Sequence, residues 1–107
     1  MRLWRLTRAM HAAEPLSGRG AAMVGGRWNS PGVRIAYAAT HRSLALLEML
    51  VHVARDTVPA DLVFVPLEVP DRLIRRAGPL PAGWNALPWS VSARRLGDEW
   101  VAAGASA

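Results

Sequence analysis

The run Gly25-Gly26-Arg27-Trp28-Asn29-Ser30-Pro31-Gly32 constrains this chain most, read together with the apolar segment that follows it. A glycine pair lets a backbone bend or approach another group where a side chain would obstruct it. Arg27 offers a planar fork of donors that suits a phosphate or a carboxylate. Asn-Ser-Pro-Gly then turns the chain. Downstream, Thr40 is placed to cap a helix that the pattern predicts to run to about Arg55. At about 100° per residue, Leu46, Leu47, Met49, Leu50, Val51, Val53 and Ala54 cover most of its circumference. The remaining stripe holds His41, Leu44, Ala45, Glu48, His52 and Arg55. Such a helix is expected at the centre of the core, with one narrow polar seam.

Around these two features the chain mixes strands and helices. Arg2 to Thr7 alternates as an opening strand, and His11 to Ala22 reads as loop. Val33 to Ala39 predicts a short strand with Val33, Ile35, Tyr37 and Ala39 on one face. Leu62 to Val69 is a strong strand whose Pro66 argues for an edge position or a bulge. Asp71 to Arg76 has room for one helical turn, and Gly78 to Gly83 is loop. Ser90 or Ser92 caps a last helix to about Ala103, expected to pack Leu96 and Trp100. The mixture predicts an α+β fold, a small mixed or antiparallel sheet packed on helices. Its length of 107 residues, with no linker or repeat, predicts a single domain over 1–107.

Composition excludes several function classes. The chain has no cysteine, which rules out disulfides and thiolate metal sites. Histidines at 11, 41 and 52 leave a histidine metal site open but set no ligand spacing, and no metal is expected. Just over half the residues are hydrophobic, against disorder. No stretch reads as a membrane span or a signal peptide, so a cytoplasmic protein away from membranes is expected. The net charge of +5 comes with arginine as the sole basic residue besides histidine, and it attracts polyanions, acidic partners and phosphorylated small molecules alike. The arginines are scattered, without the one-faced basic and aromatic pattern of a nucleic-acid binder. Walker, Rossmann and serine-hydrolase signatures are missing.

Four places can carry chemistry. Arg27 is either a surface arginine or an anion clamp, with Trp28 as a stacking surface or a core plug beneath the loop. Asn29 is a turn residue or a ligand contact. Tyr37 shares a strand face with Val33 and Ile35, so its ring is buried or its hydroxyl reaches a cleft. Glu48 forms an ordinary helix pair with His52, one turn on, or is a functional carboxylate on an oily helix.

The segments Ser17-Gly18-Arg19-Gly20-Ala21, Gly25 to Gly32, Ile35-Ala36-Tyr37-Ala38 and Leu44-Ala45-Leu46-Leu47-Glu48 resemble the RES domain. Leu80-Pro81-Ala82-Gly83-Trp84 and Leu96-Gly97-Asp98-Glu99-Trp100 are similar to its later landmarks, in the same order. The Gly-Gly-Arg-Trp-Asn block with Glu48 21 residues after Arg27 is the specific part. The family supplies toxins of bacterial toxin–antitoxin pairs. The resemblance implies a fold akin to ADP-ribosyltransferases and cleavage of the nicotinamide–ribose bond of NAD+, which is substrate rather than cofactor. ADP-ribose then passes to water, phosphate or a protein. It implies Arg27, Tyr37 and Glu48 as catalytic residues, with Arg27, Trp28, Asn29 and Tyr37 on the substrate. It also implies an Xre-like antitoxin as partner, with no direct contact to nucleic acid, and allows a homo-oligomer. The chain departs from the family at Arg19, where relatives often carry an acidic residue. It also reaches Ala107 before the Val-Pro-Ser type segment that carries the family serine, and Ser106 lies outside that context. A C-terminally shortened domain with exposed apolar surface is therefore expected. The alternative is a non-catalytic module that keeps antitoxin or nucleotide binding.

Overall fold

A computed structural model describes residues 1–52 and 57–104. The chain divides into two compact units, Met1–Pro15 with Tyr37–Asp71, and Leu16–Ala36 with Arg72–Ala107. The fold is α+β, as the pattern predicts, with an antiparallel sheet and helices.

The first unit holds the sheet. Strand β1 (Arg2–Arg8) pairs with β2 (Leu62–Glu68) in an unbroken register, from Arg2 opposite Glu68 to Arg8 opposite Leu62. Pro66 sits opposite Trp4. The Trp4 N–H donates to the Ala39 carbonyl at 2.7 Å, and the Ala39 N–H donates back at 2.9 Å. Trp4 thus directs both backbone groups away from β2, so its partner position asks for no N–H, and proline fits there without a bulge. Among the described residues β2 is an edge strand, as Pro66 suggested.

The predicted strand over 33–39 does not form a ladder; only Ala39 pairs, in an isolated bridge to Trp4. A side chain takes the next rung instead, with Arg5 Nη1 donating to the Tyr37 carbonyl at 2.7 Å. Burial pushes the Arg5 guanidinium below its ordinary pKa, and its Nε is buried without a hydrogen-bond partner among the described residues.

The long helix departs from expectation. Among the described residues it is α2 of the chain, Arg42–His52, starting one residue later than a Thr40 cap would set. Thr40 Oγ1 instead lies 3.0 Å from His41 Nδ1. The predicted extension through Val53 to Arg55, and the Glu48–His52 pairing, lie outside what is described. The expected central core helix is corrected: Ala45 is buried, but Leu47 is 59 % exposed and Val51 73 %. The reason is geometric. In its unit α2 packs against β1, and a two-stranded sheet can cover only one side of a helix.

The second unit holds α1 (Arg19–Val24) and α3 (Val91–Ala102). Residues 11–22, expected as loop, instead include the end of a 3-10 turn at Ala9–His11, in the first unit, and most of α1. Helix α1 is fixed by bonds from afar: Gly32 N–H reaches the Ala22 carbonyl at 2.7 Å, and Asn29 Nδ2 the Ala21 carbonyl at 2.9 Å. In α3, Ser90 is the cap, its Oγ accepting from the Ala93 N–H at 3.2 Å. Its buried positions are Ala93 and Gly97 rather than Leu96 and Trp100, because the neighbouring backbone comes too close for large side chains. The helical turn expected over Asp71 to Arg76 is shortened to a 3-10 turn, Asp71–Leu73.

Candidate functional site

The loop from Gly25 to Gly32 is built from inside and braced from α3. Gly25 has φ +76°, and a Cβ there would meet Pro31 Cδ at 3.0 Å and the Asn29 carbonyl oxygen at 3.2 Å. This is the close approach that the glycine pair suggested. The Gly26 N–H donates to the Asn29 carbonyl at 2.9 Å, closing the turn. Asn29 is fully buried, and its Nδ2 reaches the carbonyls of Ala21 (2.9 Å) and Val33 (3.0 Å). Of the two sequence readings for Asn29, this geometry is that of the turn residue.

Three residues of α3, spaced i, i+3 and i+4, brace the loop. Arg94 Nε donates to the Gly26 carbonyl at 2.9 Å, and its guanidinium lies over the Trp89 ring at 5.5 Å. Asp98 accepts from Ser30 twice, from the backbone N–H at 2.8 Å and from the hydroxyl at 2.5 Å. Gly97 lets the helix backbone press against Trp28, whose carbonyl oxygen would lie 1.6 Å from any Cβ at position 97. The i, i+3, i+4 spacing was the signal for one helix face, yet nothing in the sequence pointed that face at this loop.

Arg27 is held at one nitrogen. Its Nη1 donates to the carbonyls of Trp84 (2.6 Å) and Ala86 (3.2 Å). The opposite edge, Nε and Nη2, has no partner among the described residues. That edge carries the geometry for two parallel bonds to a phosphate or carboxylate. Trp28 stacks on Trp84, with ring centroids 6.0 Å apart and planes 20° apart. Arg27, Trp28 and Trp84 therefore form one cluster within the second unit. Sequence reasoning passed over Trp84 except as a landmark of resemblance.

Tyr37 and Glu48 belong to the first unit. Tyr37 is half-buried, and its carbonyl carries the bond from Arg5. Glu48 is exposed on α2, with no hydrogen bond or ion pair among the described residues. A hollow of about 330 Å³ on the second unit is lined by Ser30, Val91, Arg94, Arg95, Asp98 and Glu99. It includes neither Arg27 nor Trp84, and its Asp98 is already occupied by Ser30. No group of three potential metal ligands occurs among the described residues. None of the described helices is long and apolar enough to cross a membrane.

Comparison with known proteins gives this geometry a family. The chain is 40 % identical over 105 residues to a Prs ADP-ribosylating toxin of Sphingobium sp. (strain YBL2), covering 92 % of this chain and 65 % of that protein. It is 39 % identical over 102 residues to a Toxin Res of Photorhabdus laumondii, covering 94 % and 65 %. A Toxin Res of Pseudomonas putida is 38 % identical over 104 residues, covering 94 % and 68 %. The chain thus spans about two thirds of the length of these relatives. The family model for the RES domain matches residues 2–107, running through both units and through the loop braced by α3, and this chain belongs to the RES domain family.

Proposed function

We propose that this chain is a toxin-like domain that binds NAD+ and breaks the bond between nicotinamide and ribose. The observation that carries the reading is Arg27, a guanidinium anchored through one nitrogen, whose paired-donor edge has no partner among the described residues. In a RES-family chain with a relative named an ADP-ribosylating toxin, the pyrophosphate of a dinucleotide suits that edge.

In the proposed reaction the bond from ribose C1′ to the nicotinamide nitrogen breaks. Its electron pair goes to the ring, which leaves neutral. The ribose becomes oxocarbenium-like, and a carboxylate near it stabilises the developing positive charge. Glu48 takes that role: it is exposed on α2, with no hydrogen bond or ion pair among the described residues. Tyr37 positions the nicotinamide or its ribose, and Trp28 supports the substrate loop that Asn29 shapes. A nucleophile then bonds to C1′ and loses its proton; water, phosphate and a protein side chain are the candidate acceptors. An Xre-like antitoxin is the proposed partner, and the cytoplasm the proposed compartment.

The test follows free nicotinamide when the purified chain is mixed with NAD+. Release by the parent chain and its loss in Glu48→Gln are the expected results. Undiminished release by Glu48→Gln would remove the carboxylate from the mechanism. The exposed apolar side chains of α2 favour a second reading, a non-catalytic module that binds an antitoxin or a nucleotide. Nucleotide binding without nicotinamide release by the parent chain would select it.

A further inference from the structure

We propose that Trp84 is the stacking platform for the adenine ring of the dinucleotide, with the open edge of Arg27 on the neighbouring phosphate. The inference rests on the NAD+ reading above and adds to it a residue and the half of the dinucleotide that this residue takes.

Trp84 combines two properties that rarely coincide. It is 37 % exposed, although an indole is among the most rewarding side chains to bury. It is also fixed from two sides. Trp28 stacks against its ring, and Arg27 grips the carbonyls of Trp84 itself and of Ala86, two residues on. An exposed aromatic that the fold holds still presents a flat apolar surface without losing side-chain freedom when a ring lands on it. Stacking of this kind is sequence-tolerant and suits any planar heterocycle.

The anchoring residue decides which heterocycle. The side chain that pins the Trp84 segment is also the one with a free anion-binding edge. A ligand served by both must carry a planar ring joined to an anionic group, as a nucleoside 5′-phosphate does. NAD+ offers two such halves. The nicotinamide ring is cationic before the bond breaks, and the Arg27 guanidinium next to the platform opposes a second positive charge there. Adenine is neutral, so the AMP half is the better match.

Calorimetric titration with AMP, with nicotinamide mononucleotide and with NAD+ tests this on the parent chain and on Trp84→Ala and Trp84→Phe. Loss of the ring should weaken AMP by about tenfold or more, while Phe should hold it within about threefold. Affinity for nicotinamide mononucleotide should not change. If Trp84→Ala does not fold, Trp84→Leu keeps apolar bulk against Trp28 without a ring, and the same loss is expected. Unchanged AMP affinity in the ring-less variant overturns the proposal, as does equal weakening of both mononucleotides. A parent chain that binds NAD+ but not AMP overturns the Trp84 assignment alone. One that binds no NAD+ overturns both this and the function on which it rests.

Discussion

Gly97 and Trp28 are in backbone contact: a Cβ at Gly97 would fall 1.6 Å from the Trp28 carbonyl oxygen. The arginine of the site precedes that carbonyl by one residue, so the spacing between α3 and the loop sets where Arg27 sits. Helix propensity favours alanine over glycine by about 1 kcal/mol. The clash here is with backbone, which cannot swing aside, and overpacking typically costs about 1–3 kcal/mol or more. Sterics win. Gly97→Ala should therefore lower the thermal midpoint, measured by circular dichroism, and weaken nucleotide binding with it. A higher midpoint would show that the loop is not seated against α3.

Asp98 and Ser30 give a second, separable prediction. Removing the carboxylate leaves the Ser30 N–H and hydroxyl without their acceptor. Asp98→Ala should cost about 1–3 kcal/mol in a denaturant titration. Ser30→Ala removes the hydroxyl bond alone and should cost less, because the backbone N–H still reaches the carboxylate.

Arg27 can be divided into its two jobs. Lysine at this position can donate to the Trp84 and Ala86 carbonyls but has no paired-donor edge. Arg27→Lys should keep the unfolding midpoint near that of the parent while NAD+ affinity falls by about tenfold or more. Arg27→Ala should lower both. Equal affinities for Lys and Arg variants would mean that the open edge binds nothing.

The buried amide of Asn29 faces two carbonyl oxygens. Asn29→Ala should destabilise by about 1–3 kcal/mol, the cost of orphaned buried acceptors. Asn29→Asp should be worse at pH 7, because a carboxylate would oppose those carbonyls. Burial would raise the folded-state pKa of that new carboxyl. Its protonated form can donate, so the deficit relative to the parent should shrink as pH falls. Matched urea titrations at neutral and mildly acid pH measure the difference.

The exposed side of α2 predicts tolerance. If Leu47 and Val51 were core residues, polar replacement would cost about 2–5 kcal/mol. At 59 % and 73 % exposure, Leu47→Gln and Val51→Thr should each stay within about 0.5 kcal/mol of the parent. Sedimentation of the same variants should show less self-association if that apolar face is sticky in solution.

Local chemistry was enough for much of this protein. Alternation marked β1, a strong strand run marked β2, a serine at 90 or 92 marked the start of α3, Pro66 marked an edge or a bulge, and the Gly25–Gly32 block marked the loop that carries Arg27. These features depend on neighbours within a few residues, and so they are written in order along the chain. Partnership at a distance was not. The Val33–Ala39 segment has the pattern of a strand, but the Arg5 side chain occupies the rung it would have used. The apolar helix reads as a core element, yet a two-stranded sheet leaves most of its girth uncovered. Composition could not say that Arg27 spends one nitrogen on the Trp84 segment and keeps an edge without a partner among the described residues. That division is set where residues 57 and 59 positions apart meet, and only the folded chain brings them together.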